Sequence, residues 1–513
     1  MAEVPPRLEG RPEPRLPRAD LPQAGLPLTA LFRTGLSRTA LPGVGLSQAA
    51  PSKADLSQAA LSQAVLPQAP LPQAALPRTA LTRRALLAAA AALLFLPRSA
   101  RAQEEAPTPL RIGAVLPIAG PALPAARINL RGVGEAARMG LTLAAEDAGQ
   151  NGALLGWTPE LVIANAPGPE AAARAARRLV ATEGVSVLIG GYSAEEAEAL
   201  AAVAEEAGVL FLNAGASADS LRQACRTMTF HVEPSAAMYL DALLGWFVRA
   251  GFRRWHFVAD DSLEGAARLD RARAALDDRH WGAEVTGTSR ILQDDDRSIA
   301  PALARIAAEK PDVTLLLTDW RSQLDVLSRY EAAGLTAPIT GFPEPAAQMR
   351  DFYLRSHEAA PVAGSGRRAA AWEATLDAYG ARELNARFNG RWGRPMDPAA
   401  WSAYMAVKIA FEAAMLTGST QGRDLAAHLA GPAGVFDVSK GIGVTFRPWD
   451  HQLRQSLYLV KISDDPSPSL SLDAVLARAS LEGELPAIYM PGTDPVERLD
   501  QLGDLTARAP CAT

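Results

Sequence analysis

Few side chains in this 513-residue sequence stand at the spacings that catalysis or metal binding requires. Its six histidines are scattered, and its two cysteines, Cys225 and Cys511, are far apart. No Cys-x-x-Cys or His-x-x-x-His pair can therefore hold zinc, haem or an iron–sulfur cluster. There is no Gly-x-Ser-x-Gly elbow and no phosphate-loop lysine. His231 and His256 adjoin apolar runs and read as packed side chains. Asp294-Asp295-Asp296 lacks the loop spacing and closing Glu of a calcium hand, and reads as a solvated turn. Gly132-Val-Gly-Glu-Ala-Ala137 has the letters of a dinucleotide fingerprint, but it does not follow its nearest strand directly, and only tight strand-to-helix apposition puts a pyrophosphate on the helix end. The remaining residues suit reversible binding. Ser193 lies between an apolar run and a helical pattern, where unsatisfied amides favour an anion. Ser193-Ala-Glu-Glu196 is equally a capping box that needs no ligand. Trp320 and Glu344, the latter flanked by Pro343 and Pro345, each follow an apolar run. These residues imply no enzyme activity and no cofactor.

The elements that must position them alternate. Ile112–Leu116, Leu161–Ala164, Val185–Ile189 and Val209–Leu212 are short apolar runs separated by helical spacing over 134–148, 170–183 and 194–207. The rhythm restarts with helix 236–250, strand Trp255–Ala259, helix 264–278, strand Val313–Thr318, helix 322–333 and strand Pro338–Thr340. Strands joined by helices of this length make βαβ units, so the expected fold is α/β with a parallel sheet in each of two lobes. A helical stretch after Arg368 includes Ala399–Thr417, and the strand-like Val444–Phe446 and Leu457–Val460 close the body. Beyond Lys461, Ser463-Asp464-Asp465-Pro466-Ser467-Pro468 reads as a linker to a weakly patterned tail over 463–513.

The first hundred residues differ in kind. A leucine recurs every fifth residue from Leu21 to Leu81, broken only at Pro51, and the 1–81 tract is expected to be disordered and low in complexity, or not translated at all. Its units resemble the pentapeptide-repeat family, but proline recurs where that coil needs backbone donors. Thr82-Arg83-Arg84, the apolar run Ala85–Leu96 and Ala100-Arg101-Ala102 then form an export signal over 82–102, cut after Ala102. The ordinary secretory route and twin-arginine export both fit Arg83-Arg84. The apolar run is too short to span a bilayer, so a mature form free of the membrane is expected in the periplasm. Without residues 1–102 the chain carries a net charge of -12, against the basic footprint of a nucleic-acid binder. In an exported chain an even cysteine count favours pairing, which predicts a Cys225–Cys511 bond stapling the tail to the first lobe.

Leu110–Pro121, the Gly191/Ser193 and Asn213–Ser217 loops, Tyr330–Pro338 and Phe388–Asp397, taken in order, resemble the leucine/isoleucine/valine-binding (type I) family of periplasmic solute receptors. Gly441–Arg454 and Ala224-Cys225-Arg226 are similar to the subgroup found with pyrroloquinoline-quinone-dependent alcohol oxidation. The resemblance implies two lobes, 108–231 plus 367–432 and 236–360 plus 441–462. Three crossings would join them near Val232–Ser235, Ala360–Gly366 and Gly431–Lys440, with a ligand held at the carboxyl ends of the strands. It further implies that Ser193, Gly215 and Ser217 hold a ligand carboxylate, that Glu344 meets an ammonium group, and that Trp320 covers the ligand. The second aromatic expected near Ser262 or Leu263 is missing. The function implied is capture of a small polar or amphipathic solute, amino-acid-like or related to alcohol oxidation, for an ABC permease. The alternative is a sensory or accessory protein of the same fold.

Overall fold

A first parallel sheet consists of β1 (Thr108–Leu116), β2 (Trp157–Asn165), β3 (Val187–Gly190), β4 (Leu210–Asn213) and β5 (Thr229–His231), in the order β2-β1-β3-β4-β5, with its most buried apolar runs in β1, β3 and β4. A second parallel sheet has β6 (Arg254–Asp260), β7 (Glu284–Ile291), β8 (Val313–Leu317) and β9 (Ile339–Gly341), ordered β7-β6-β8-β9. Each sheet is the core of one lobe. The computed structural model describes residues 108–118, 130–293, 295–441, 443–487, 494–503 and 511, so the 1–81 tract, the 82–102 signal and its cleavage site lie outside the described residues.

Helices join the strands and cover the sheets, as parallel order requires. The longest, Leu130–Ala153 and Pro398–Thr417, pack against one another on the first sheet. Close backbone approach explains one glycine of the discarded fingerprint, Gly134, and a further one on the same helix, Gly140. A Cβ on Gly134 would lie 2.6 Å from the Pro117 carbonyl oxygen, and one on Gly140 only 2.0 Å from that of Ala400. These glycines serve backbone packing, not a phosphate.

Elements missed in the sequence are the polar ones. β7 reads Glu-Val-Thr-Gly-Thr-Ser-Arg-Ile and is an edge strand, where one flank meets water and apolar alternation is not needed. β10 (Arg367–Ala370) begins with two arginines. It pairs antiparallel with β13 (Leu457–Ile462), and Ala369 and Ala371 are buried with Trp255, Phe257 and Leu315 of the second lobe. Val444–Phe446 forms only the two-residue strand β12 (Val444–Thr445), paired with β11 (Val435–Phe436).

The tail departs most from expectation, because it is part of the folded body. β14 (Ala479–Leu485) adds to β13, and the helix Pro495–Leu499 buries Leu499 while Leu502 enters the second core. Asp500 accepts from Arg447 and Arg454, each at 2.9 Å. Cys225 and Cys511 are joined by a disulfide with Cα atoms 5.3 Å apart. Among the described residues no helix is long and apolar enough to cross a membrane.

Candidate functional site

Helix starts converge between the lobes. On the first, β3 ends at Gly190, Gly191 turns the chain at φ 79°, and Ser193 caps helix Ala194–Ala207 by accepting from the Glu196 amide at 3.2 Å. The Glu196 carboxylate reaches back to the Tyr192 and Gly168 amides at 3.2 and 2.7 Å. The capping reading of Ser193 therefore holds. A hydroxyl has one donor and two acceptor sites, so the Ser193 proton stays free for a ligand.

The neighbouring 213–217 loop is shaped by Asn213. Its side-chain oxygen accepts from the Gly215 and Ala216 amides at 3.3 and 3.0 Å, while its amide group donates to the Ala216 carbonyl at 2.7 Å. Gly215 is required by packing, since a Cβ there would lie 2.4 Å from the Tyr192 ring. The Ser217 carbonyl accepts from Ala236 at 2.7 Å, tying this loop to the chain as it leaves the first lobe.

On the second lobe, Asp319 caps helix Trp320–Ala332, accepting from the Arg321 and Ser322 amides at 2.7 and 3.0 Å. Ser262 caps helix Leu263–Arg279 and so places Glu264 and Arg268 on its first turns. Glu344 follows β9, and each of its carboxylate oxygens has a partner. One carboxylate oxygen stands 2.9 Å from an Arg268 nitrogen and the other accepts from the Trp320 amide at 3.1 Å. Burial pushes the Glu344 carboxyl up to about 7, with the Arg268 charge opposing that rise.

These loops enclose a cavity of about 200 Å³. The first lobe lines it with Tyr192, Ser193, Ala194, Gly215, Ala216 and Ser217. The second contributes Glu264, Arg268, Asp319, Trp320, Arg321 and Glu344, with Pro345 and Ala346 beside them. All five residues singled out in the sequence, Ser193, Gly215, Ser217, Trp320 and Glu344, thus meet at one cavity. Tyr192, Glu264, Arg268, Asp319 and Arg321 were missed. Tyr192 is adjacent to Ser193, so the loop could have revealed it. Arg268 lies within a helix, and only its i,i+4 spacing from Glu264 hinted at a pair.

The cavity is apolar at Tyr192, Ala194, Trp320 and Ala346, and polar at its helix starts. Arg321 places its guanidinium 4.6 Å from the Trp320 ring centre. Tyr192 is buried, and its hydroxyl has no hydrogen-bond partner among the described residues. Burial, reinforced by the Glu233 charge, raises that phenol well above its ordinary range. No group of three or more His, Cys, Asp or Glu among the described residues could hold a metal ion. His231 and His256 are buried and hydrogen-bonded, to Asn213 at 3.0 Å and to Glu309 and Ser289 at 2.7 and 2.9 Å.

Residues 109–466 match the family model described as periplasmic binding protein. The chain belongs to that family. Its fold is shared with an amino acid ABC transporter substrate-binding protein from Pseudomonas fluorescens, at 19% identity and a TM-score of 0.63, over 75% of this chain and 98% of that one. A branched chain amino acid ABC transporter ligand-binding protein from Burkholderia xenovorans gives 16% identity and 0.61, over 73% and 95%. A solute-binding protein from R. palustris, solved in complex with benzoate, gives 22% and 0.57, over 73% and 98%. No curated protein sequence matches this chain.

Proposed function

We propose that this protein works in the periplasm as the receptor of an ABC importer, closing its lobes over a small carboxylate-bearing solute and passing it to a membrane permease. The observation that carries this reading is the convergence at one interlobe cavity of the Ser193 helix start, the Gly215–Ser217 loop and the Trp320 face. Unpaired first-turn amides and hydroxyls suit a carboxylate. A tryptophan and several alanines suit its apolar body. About 200 Å³ is below the ~300–1,000 Å³ of drug-sized sites, which limits the ligand to one small molecule. Native mass spectrometry of protein purified from its own periplasm, followed by calorimetry with the released molecule, tests the reading. A co-purifying organic acid or amino acid supports it, whereas an empty protein that binds neither class counts against it.

A further inference from the structure

The part of the cleft that would receive an ammonium group is already occupied by a side chain of the protein. Both Glu344 oxygens are engaged, by Arg268 at 2.9 Å and the Trp320 amide at 3.1 Å. Arg268 is only 5% exposed and is held from two further directions, by Glu264 one helical turn earlier and by the Phe342 ring, whose centre lies 4.1 Å away. A ligand ammonium at Glu344 would have to share the carboxylate with a buried guanidinium of like charge or displace it, and both are unfavourable. Glu264, also on the wall, is paired with the same Arg268, and Asp319 is no substitute. Asp319 accepts from the Arg321 and Ser322 amides, from the Ser322 hydroxyl at 3.1 Å and from Gln293 at 3.1 Å. Arg321 lines the same wall, exposed and with no acidic partner among the described residues, and its charge repels an amine.

Resting on the receptor reading above, we infer that the solute is a carboxylic acid without an α-ammonium group, because the Glu264–Arg268–Glu344 cluster closes the ammonium subsite. The acid group docks at the Ser193 helix start, and the apolar body lies against Trp320 within reach of the Arg321 charge.

Calorimetry with two matched pairs tests this on the wild-type protein, using 4-methylpentanoate against leucine and 3-phenylpropanoate against phenylalanine. The acid of a pair should bind about tenfold or more tightly than its amino analogue. Arg268→Met, checked for folding by its thermal transition, frees Glu344 and should shift the ratio toward the amino acid by about tenfold. Equal binding within a pair, or tighter binding of the amino acid by the wild type, overturns the inference and leaves the receptor reading intact. If neither pair binds, the co-purified molecule decides, and an α-amino acid there overturns the inference. No binding and no co-purified molecule overturns the receptor reading itself. Should Arg268→Met not fold, the wild-type comparison stands alone.

Discussion

Two buried residues near the cleft are in unfavourable states, and each makes a prediction. The Tyr192 hydroxyl is buried without a partner among the described residues, which costs a folded protein about 1–3 kcal/mol. Tyr192→Phe is therefore expected to leave the melting temperature unchanged or raise it, and a fall would show that the hydroxyl has a water or ligand partner. Glu233, in the first crossing, accepts from Tyr239 at 2.8 Å. Burial pushes its carboxyl up to about 8, against the hydrogen bond from Tyr239 and the charges of Arg222 and Lys440. A raised acid binds its proton more tightly in the folded state, so its stabilising effect is complete below about 4.5 and is lost as pH rises through about 8. Stability should thus decline between pH 5 and 8.5. Glu344, raised to about 7, acts in the same direction. Chemical denaturation across that range should show a shallower decline for Glu233→Gln, and equal slopes would refute the assignment.

At the level of elements, the tail is held by a covalent bond and by packing. The disulfide joins Cys225, just after helix Asp219–Gln223, to Cys511, whose amide donates to Pro448 at 2.8 Å. Removing it should cost about 2–4 kcal/mol. Because one bond is lost whichever cysteine is replaced, Cys225→Ser, Cys511→Ser and the double variant should melt together, and additive losses would mean that each thiol acts alone. That bond is what an even cysteine count predicts for an exported chain, but strand β14 of the same tail does not show in the sequence. β14 reads Ala-Ser-Leu-Glu-Gly-Glu-Leu, and it forms because β13 offers it an edge, which is information held in the partner strand. The same limit applies to the site. Loops that follow buried strands were legible, since apolar runs mark strand ends and Ser193, Trp320 and Glu344 follow such runs. Arg268 was not, because a residue within a helix faces a cleft only through the packing of that helix, and Glu344 therefore read as an open partner for an amine.

Across the whole molecule, the cleft is also a contact between apolar surfaces. Trp320, Ala346, Met349 and Phe352, all from the second lobe's loops and helices, are buried in one continuous core with Tyr192 and Ala216 of the first. Trp320 is only 4% exposed. If the receptor opens to admit its solute, as receptor function demands, this contact must separate and Trp320 must meet water. A solute that binds only the closed form stabilises it by mass action, about 2.7 kcal/mol at a hundredfold excess over Kd. Acrylamide quenching should therefore be stronger in ligand-free protein than in protein saturated with the co-purified solute. The chain has nine tryptophans, so the signal must be read as the difference between wild type and Trp320→Phe. That difference should shrink when the solute is added. If it is already minimal without solute, the lobes stay closed on their own, and entry to the cavity must run through movement of the Gly215–Ser217 loop instead of separation of the lobes.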